Sequence, residues 1–107
     1  MKMFVQQFYN KNQFVIRGER ENEKTVFQSY DSIIAEINEN GQLTLGIDWD
    51  YSKTTLKHLY LFLNDYIYSF NDNIKEYIKE LQNKTNKKAY IQKLIDNNII
   101  QYNEDMQ

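Results

Sequence analysis

The sequence predicts an α+β fold, in which an N-terminal antiparallel β-sheet of about four strands is followed by about three α-helices packed on one face. Up to Tyr51, the chain contains segments with strand character, and the last of them, 43–51, has an apolar side chain at every second residue, which is the period of a strand. From Ser52 onward they recur at helical spacing. Strands that come first and helices that come after them favour a segregated α+β architecture over an alternating one. We expect residues 1–107 to form a single domain.

Four segments carry the strand pattern, and together they make up the sheet part, about 13–51: 13–17, 23–30, 32–37 and 43–51. The first two are rich in β-branched and aromatic residues, and the polar stretch after Gly18 predicts a hairpin turn between them. Asn40-Gly41 precedes the last segment and is a strong hairpin signal, because both central residues of a tight turn can take a positive φ.

The last strand segment alternates cleanly between two faces. One face carries Leu43, Leu45, Ile47, Trp49 and Tyr51, and the other carries Thr44, Gly46, Asp48 and Asp50. We therefore expect Trp49 to be a buried anchor, with Asp48 and Asp50 facing away from it. Same-face neighbours on a strand lie about 7 Å apart, so one cation could bridge both carboxylates. A hard cation needs more than two oxygen ligands, which favours two solvated aspartates.

Three helices are predicted in the helical part, about 52–97: 52–69, 72–83 and 86–97. Ser52, Asp72 and Asn86 are of the residue types that cap helix N-termini. Asn97-Asn98 predicts the end of the third helix, since Asn tolerates the left-handed conformation. Residues 99–102 are expected to add a short strand or an extended segment, and 103–107 to form a frayed tail.

Composition disfavours several classes of function. The 107 residues include 13 basic and 15 acidic side chains, for a formal charge of −2. A general nucleic-acid binder usually has a basic excess, and a protein that imitates the charge of DNA needs a large acidic excess. Without Cys there are no disulfides, thiolate zinc sites or thiol nucleophiles. The three glycines lie too far apart to form a phosphate-binding loop.

Targeting segments are not evident either. The N-terminus lacks the long apolar run of a signal peptide. The longest apolar region, 59–70, contains Asn64 and Asp65 and is far too short to span a membrane. We therefore expect a cytoplasmic protein without membrane contacts, and the sequence suggests no cofactor.

A metal or acid–base site could be built only around the single histidine. His58 follows Asp48 and Asp50 in the chain, so a cluster of these three side chains is conceivable, although its spacing matches no standard metal motif. The simpler interpretation is a half-exposed helix histidine that titrates near neutral pH. We expect no catalytic residue and no bound metal, and we keep a metal-dependent enzyme as a third hypothesis.

The candidate partner-binding residues are Tyr77, Tyr90, Lys84, Lys87 and Lys88. Four lysines, the three named and Lys93, fall within ten residues that contain no acidic residue. Such a cluster can contact nucleic-acid phosphates or an acidic protein surface. Nine tyrosines are too many for the core of a small domain, and exposed Tyr is enriched in protein interfaces.

One stretch, 27–63, also resembles a known family. The residues that carry the resemblance are Tyr30-Asp31-Ser32, Ile34-Ala35, Leu43-Thr44-Leu45-Gly46, Asp48-Trp49-Asp50-Tyr51-Ser52, Thr54-Thr55 and Lys57-His58-Leu59-Tyr60. The family consists of short proteins of unknown function carried by phages and mobile elements of low-GC Gram-positive bacteria. The resemblance covers about a third of the chain, leaves out the C-terminal helices and carries no catalytic residues. It implies a setting in which small accessory proteins, anti-CRISPR proteins among them, block host defence.

These observations favour a non-enzymatic phage or mobile-element protein that binds and inhibits a host protein, with a CRISPR effector as the leading partner. The alternative is a nucleic-acid-binding accessory or regulatory protein that uses the Lys84–Lys93 cluster. The identity of the partner, the surface that binds it and the oligomeric state are left open by the sequence.

Overall fold

The computed structural model describes residues 3–8, 10–18 and 24–106, and the predicted α+β arrangement is confirmed. The strands are β1 (Met3–Phe8), β2 (Asn10–Gly18), β3 (Thr25–Ser29), β4 (Ser32–Ile37), β5 (Leu43–Gly46) and β6 (Gln101–Asn103). The helices are α1 (Lys53–Asp65), α2 (Asp72–Leu81) and α3 (Lys87–Asp96), with a 3-10 turn at Ile67–Ser69 between the first two. Residues 19–23, where a hairpin turn was predicted, lie outside the described residues.

In the described part of the chain, the sheet has six strands in chain order, so the prediction of about four was too low. β1 was missed because its sequence, MFVQQF, lacks the alternation that marks a half-buried strand. The first five strands pair antiparallel, as predicted, whereas β6 pairs parallel with β5 and places Tyr102 opposite Leu45. The short strand or extended segment expected at 99–102 is thus present as β6, which also includes Asn103, the first residue of the predicted tail. Its strand partner is set by the path of the preceding helices.

The core lies between one face of the sheet and the helices. A row of fully buried side chains runs across four paired strands: Val15, Phe27, Ala35 and Leu45. Helix α1 covers this row, and the ring of Phe62 stacks on that of Phe27 at a centroid distance of 5.4 Å. Burying one such aliphatic or aromatic side chain stabilises the fold by about 1.5–3 kcal/mol. The apolar face of the sheet therefore fixes where α1 packs.

Strand β5 ends at Gly46, five residues earlier than predicted. Two turns follow, in which the Trp49 N–H donates to the Gly46 carbonyl at 3.1 Å and the Tyr51 N–H donates to the Asp48 carbonyl at 3.1 Å. Trp49 is buried, 3% exposed, as predicted. Ile47 (48% exposed) and Tyr51 (78% exposed) face solvent, so their assignment to the core face was wrong. The alternation of apolar residues in the sequence continues to Tyr51, although the backbone leaves the strand after Gly46.

The helix ends follow capping chemistry, with two corrections. The Ser52 cap of α1 is confirmed, since its Oγ accepts from the Thr55 N–H at 3.1 Å. Helix α1 ends at Asp65, and only the 3-10 turn continues toward the predicted end at residue 69. The cap of α2 is Asn71, whose Oδ1 accepts from the Ile74 N–H at 3.0 Å, so the prediction of Asp72 was off by one residue.

Helix α3 has both of its predicted ends. Asn86 caps it through a 3.1 Å hydrogen bond from the Ala89 N–H to Oδ1. After Asn97, Asn98 takes the left-handed conformation with φ 59° and ends the helix.

The turn between β4 and β5 is wider than the predicted tight hairpin. Only Gly41 has a positive φ, at 78°, while the Asn38 side chain accepts from the N–H groups of Asn40 and Gln42. The Gly41 carbonyl also accepts from the Asn71 N–H at 3.1 Å. A Cβ on Gly41 would collide with the backbone at Asn71. This glycine is therefore required by its φ and by the close approach of the α2 N-terminus.

Candidate functional site

Four of the five predicted partner-binding residues lie together on α2, α3 and the loop between them. The Lys84 Nζ lies 4.9 Å from the centroid of the Tyr90 ring and 3.9 Å from the Glu80 Oε2. The Lys87 Nζ donates to the Lys84 carbonyl at 3.0 Å. Burial raises the pKa of Tyr90, and the nearby Glu80 and Tyr77 raise it further. We call Tyr77, Lys84, Lys87 and Tyr90 the helical tyrosine–lysine surface.

Lys88, the fifth predicted residue, points elsewhere. Its Nζ lies 3.6 Å from the Asp50 Oδ2, so it connects α3 to the segment between β5 and α1. Glu80 and Asp50 thus offset two of the clustered lysines, Lys84 and Lys88. The positive charge is therefore weaker than four lysines within ten residues suggested.

The cluster of Asp48, Asp50 and His58 on which the third hypothesis rests does not form, because each side chain has a different partner. The Asp48 Oδ2 accepts from the Ser32 Oγ at 2.8 Å, and Asp50 pairs with Lys88. Among the described residues, no three His, Asp or Glu side chains are grouped so that they could hold a metal ion.

The prediction of a half-exposed His58 was also wrong. The side chain is only 6% exposed, and its Nδ1 lies 2.8 Å from the Thr54 carbonyl oxygen. Because a carbonyl only accepts, this contact requires a proton on Nδ1. His58 shares its helix face with the buried Thr55 and Phe62, three residues before and four residues after it, and this spacing carries it into the interior.

A cleft of about 530 Å³ opens where the β3–β4 turn faces the N-terminus of α1. Its lining combines polar side chains with apolar surface and consists of residues 29–32, Ile34, Asp48, Tyr51, Ser52, Thr54 and Thr55. We call it the hairpin–helix cleft. Segments separated by about twenty residues in the chain meet here, and the Ser32–Asp48 hydrogen bond joins its two sides.

The turn at the edge of this cleft is strained. Tyr30 has φ 54°, which a residue with a bulky side chain rarely adopts. Its N–H donates to the Asn12 carbonyl at 2.7 Å, and this bond holds the turn against β2. The left-handed conformation costs about 1–2 kcal/mol in a non-glycine residue. Such strain is concentrated at functional sites. The exposed rings of Tyr30 and Tyr51 both line the cleft.

The floor of the cleft contains a polar group without a partner. Ser29 lines the cleft and is 3% exposed, and its Oγ makes no hydrogen bond in the described part of the chain. Gln13 does not line the cleft, but it lies opposite Ser29 in the β2–β3 register and is fully buried, and among the described residues neither polar atom of its side-chain amide has a partner. Buried polar groups are nearly always paired, so an unpaired set requires an explanation.

Neither Ser29 nor Gln13 was identified from the sequence, although their positions in the strands carry a signal. Gln13 is two residues before the buried Val15, and Ser29 is two residues after the buried Phe27, so both occupy core-facing positions of their strands. A polar residue at a core-facing position is informative. These two polar residues were overlooked because the strands were recognised from their apolar residues alone.

Among the described residues, no helix has both the length and the apolar character that crossing a membrane requires. No curated protein and no solved structure matches the sequence. The model of a family described as a family of unknown function, DUF8033, matches residues 3–98. The match includes α2 and α3, which the resemblance over 27–63 left out. Because it covers most of the chain, the chain belongs to this family of unknown function.

Proposed function

We propose that the chain is a non-enzymatic binding protein that acts by occupying a surface of another protein through the helical tyrosine–lysine surface. The observation that carries the proposal is the stacking of Lys84 on the half-buried Tyr90 ring, with exposed Tyr77 beside it. Tyrosine offers a large contact area at low entropic cost, and it is enriched among the residues that dominate binding energy. A cation held over a ring is already oriented before a partner arrives.

The charges around this surface favour a protein partner. Glu80 offsets Lys84, and the Lys87 ammonium is held by a backbone carbonyl. A partner with scattered acidic and polar groups suits this mixture better than a phosphate backbone does, since phosphate binding is driven by an excess of positive charge.

The setting that we propose follows from the resemblance over residues 27–63. We propose a phage or mobile-element protein of low-GC Gram-positive bacteria that acts in the cytoplasm of the bacterial host and inhibits a host defence protein. A CRISPR effector is the first partner to test. Inhibition by occupation requires no catalytic group, and this agrees with the separate partners of Asp48, Asp50 and His58.

The test measures target-DNA cleavage by a purified CRISPR effector with and without the protein, together with co-elution of the two in gel filtration. We expect inhibition by the wild type, and at least a tenfold loss of affinity in Tyr77→Ala and Lys87→Glu, which is about 1.4 kcal/mol. Tyr68→Ala is the matched control, because that ring is 87% exposed and lies on the 3-10 turn.

Two results would count against the proposal. Equal inhibition by wild type, Tyr77→Ala and Lys87→Glu would move the contact away from the helical tyrosine–lysine surface. Neither co-elution nor inhibition with any effector tested would remove the CRISPR partner. Capture of host-lysate proteins with the same variants would then show whether any partner depends on this surface.

The alternative proposal is a nucleic-acid-binding accessory or regulatory role for the Lys84–Lys93 cluster. The observation in its favour is that Lys88 and Lys93 are exposed on α3. Gel shifts at low and moderate salt distinguish the two proposals, because phosphate contacts make binding steeply salt-dependent. Unchanged binding after charge reversal of Lys84, Lys87 and Lys88 would contradict this alternative.

A further inference from the structure

We propose that the hairpin–helix cleft binds a neutral polyhydroxylated ligand of the size and chemistry of a sugar. This site is separate from the helical tyrosine–lysine surface and does not depend on the function proposed for it. The cleft lies between the β3–β4 turn and the first turn of α1, and its volume of about 530 Å³ is typical of small-molecule sites.

The unpaired polar groups on the floor point to a ligand. The Ser29 hydroxyl is both a donor and an acceptor, and it is buried without a partner in a residue that lines the cleft. Directly opposite it on β2, the Gln13 amide offers two donors and an acceptor. Opposed residues of antiparallel strands lie about 4.5–5.5 Å apart at Cβ. Gln13 does not line the cleft, so the ligand contact is assigned to Ser29, with the unpaired Gln13 amide behind it.

The charged groups around the cleft select a neutral ligand. Among the described residues, the only ionisable acids and bases that line it, apart from tyrosines, are the carboxylates of Asp31 and Asp48. These oppose an anion, even though the N-terminus of α1 would otherwise attract one. The same helix end opposes a cation that the two carboxylates would attract. A ligand without charge avoids both penalties.

Hydroxyl groups fit the donors and acceptors that remain. The Asp48 Oδ2 already accepts from the Ser32 Oγ, and the carboxylate has further lone pairs for a ligand hydroxyl. At the helix end, the Thr55 N–H is used by the Ser52 Oγ and the Leu56 N–H by the Ser52 carbonyl. The first two N–H groups of the helix have no partner within it. Each sugar hydroxyl both donates and accepts, so one molecule can satisfy acceptors and donors together.

The rim supplies a flat apolar contact for the same ligand. Tyr30 and Tyr51 both line the cleft, and both rings are exposed. The C–H face of a sugar ring can pack against a phenol ring while its hydroxyls point toward the polar floor. The φ of 54° at Tyr30 sets the direction in which this side chain leaves the backbone.

The experiment is a titration of the ¹⁵N-labelled full chain, followed by amide chemical shifts, with D-glucose and N-acetylglucosamine as probes. Inorganic phosphate and glucosamine are the charged controls. We expect saturable shifts at Ser29, Ser32, Thr54 and Thr55 with at least one neutral sugar, and weaker or no shifts there with the charged probes. Tyr68→Ala should bind as the wild type does, because this ring does not line the cleft.

Two variants separate binding from folding. Ser29→Ala should weaken sugar binding at least tenfold while the melting temperature stays the same or rises, since it removes an unpaired buried hydroxyl. Tyr51→Ala, at an exposed position, should weaken binding without changing the melting temperature. Together they keep the test decisive if one variant folds poorly.

Three outcomes would overturn the proposal. No saturable shift with either sugar would mean that water alone satisfies Ser29 and Gln13. Phosphate binding more tightly than the neutral sugars would reverse the charge argument. Unchanged sugar affinity in both Ser29→Ala and Tyr51→Ala would place the bound sugar outside the cleft.

Discussion

The helical tyrosine–lysine surface and the hairpin–helix cleft differ in how their polar groups are satisfied. On the helical surface, Lys84 has Glu80 and the Tyr90 ring, and Lys87 has a backbone carbonyl. In the cleft, Ser29 is buried without a partner and Tyr30 has a strained backbone. The lysines of the helical surface form an obvious cluster in the sequence, and most of them have partners in the structure. The polar residues of the cleft form no obvious pattern in the sequence, and Ser29 has no partner among the described residues.

This difference shows that a cluster of charged residues in a sequence does not mean that these residues lack partners in the fold. Lysine side chains are long and reach nearby acceptors, so placing them on a surface costs little free energy. Such a surface is suited to a large, adaptable partner. A buried hydroxyl or amide without a partner carries its desolvation cost until a hydrogen-bonding group reaches it. The two regions therefore favour different classes of ligand.

The largest expected effect is on the junction that supports the cleft. Trp49→Ala should lower the free energy of unfolding by about 3–5 kcal/mol, because it removes a large buried side chain between β5 and α1. That is a large share of the roughly 5–15 kcal/mol of a typical domain. Denaturant melts of Trp49→Ala and of Asp50→Asn, a half-exposed neighbour, make the measurement. A mild tryptophan variant beside a severe aspartate variant would reverse our assignment.

A smaller loss is expected where the β4–β5 turn supports α2, and thus the helical surface. Gly41→Ala should cost at least about 1–2 kcal/mol for the left-handed φ alone. The added Cβ also meets the backbone at Asn71, so the N-terminus of α2 must shift. Asn40→Ala is the control and should stay within about 0.5 kcal/mol. Similar melts for the two variants would show that this turn does not fix α2.

The two caps allow a direct comparison of the regions. Ser52→Ala at the cleft and Asn86→Ala at the helical surface should each cost about 1 kcal/mol, since each loses one side-chain acceptor for a first-turn N–H. Chemical denaturation of both variants measures the costs. A loss above about 3 kcal/mol in Ser52→Ala alone would show that Ser52 holds more of the cleft than its cap bond with Thr55 explains.

The smallest effect concerns alkaline pH. Burial raises the pKa values of Tyr60, Tyr66 and Tyr90 above their ordinary value of about 10. The unfolded chain then loses these protons at a lower pH than the folded chain does. Their contribution to stability is therefore complete below about pH 10 and is lost as the pH rises through the raised folded values.

Denaturant melts between about pH 8 and pH 11 measure this decline. Tyr60→Phe and Tyr90→Phe should each flatten it, because each variant removes one group whose pKa is raised. An unchanged decline in both variants would mean that these phenols are no more buried in the folded chain than in the unfolded one.

The sequence by itself determined the features that depend on neighbours along the chain. It predicted strands before helices, the caps at Ser52 and Asn86, the end of α3 and the burial of Trp49. Capping bonds join residues three apart, and amphipathic periods repeat within a few residues, so local chemistry is enough to predict them. Of three boundary errors, those at the ends of β5 and α1 came from patterns that continue across a turn, and the cap of α2 was placed one residue too late.

Only the tertiary structure decided the features that join distant segments. The parallel pairing of β6 with β5 depends on how three helices bring residue 101 back to residue 44. The cleft exists because residues 29–32 meet residues 48–55, and the Lys88 ammonium pairs with Asp50, which lies 38 residues earlier in the chain. Such contacts depend on the packing of whole elements, and the periodicity of any one segment does not encode them.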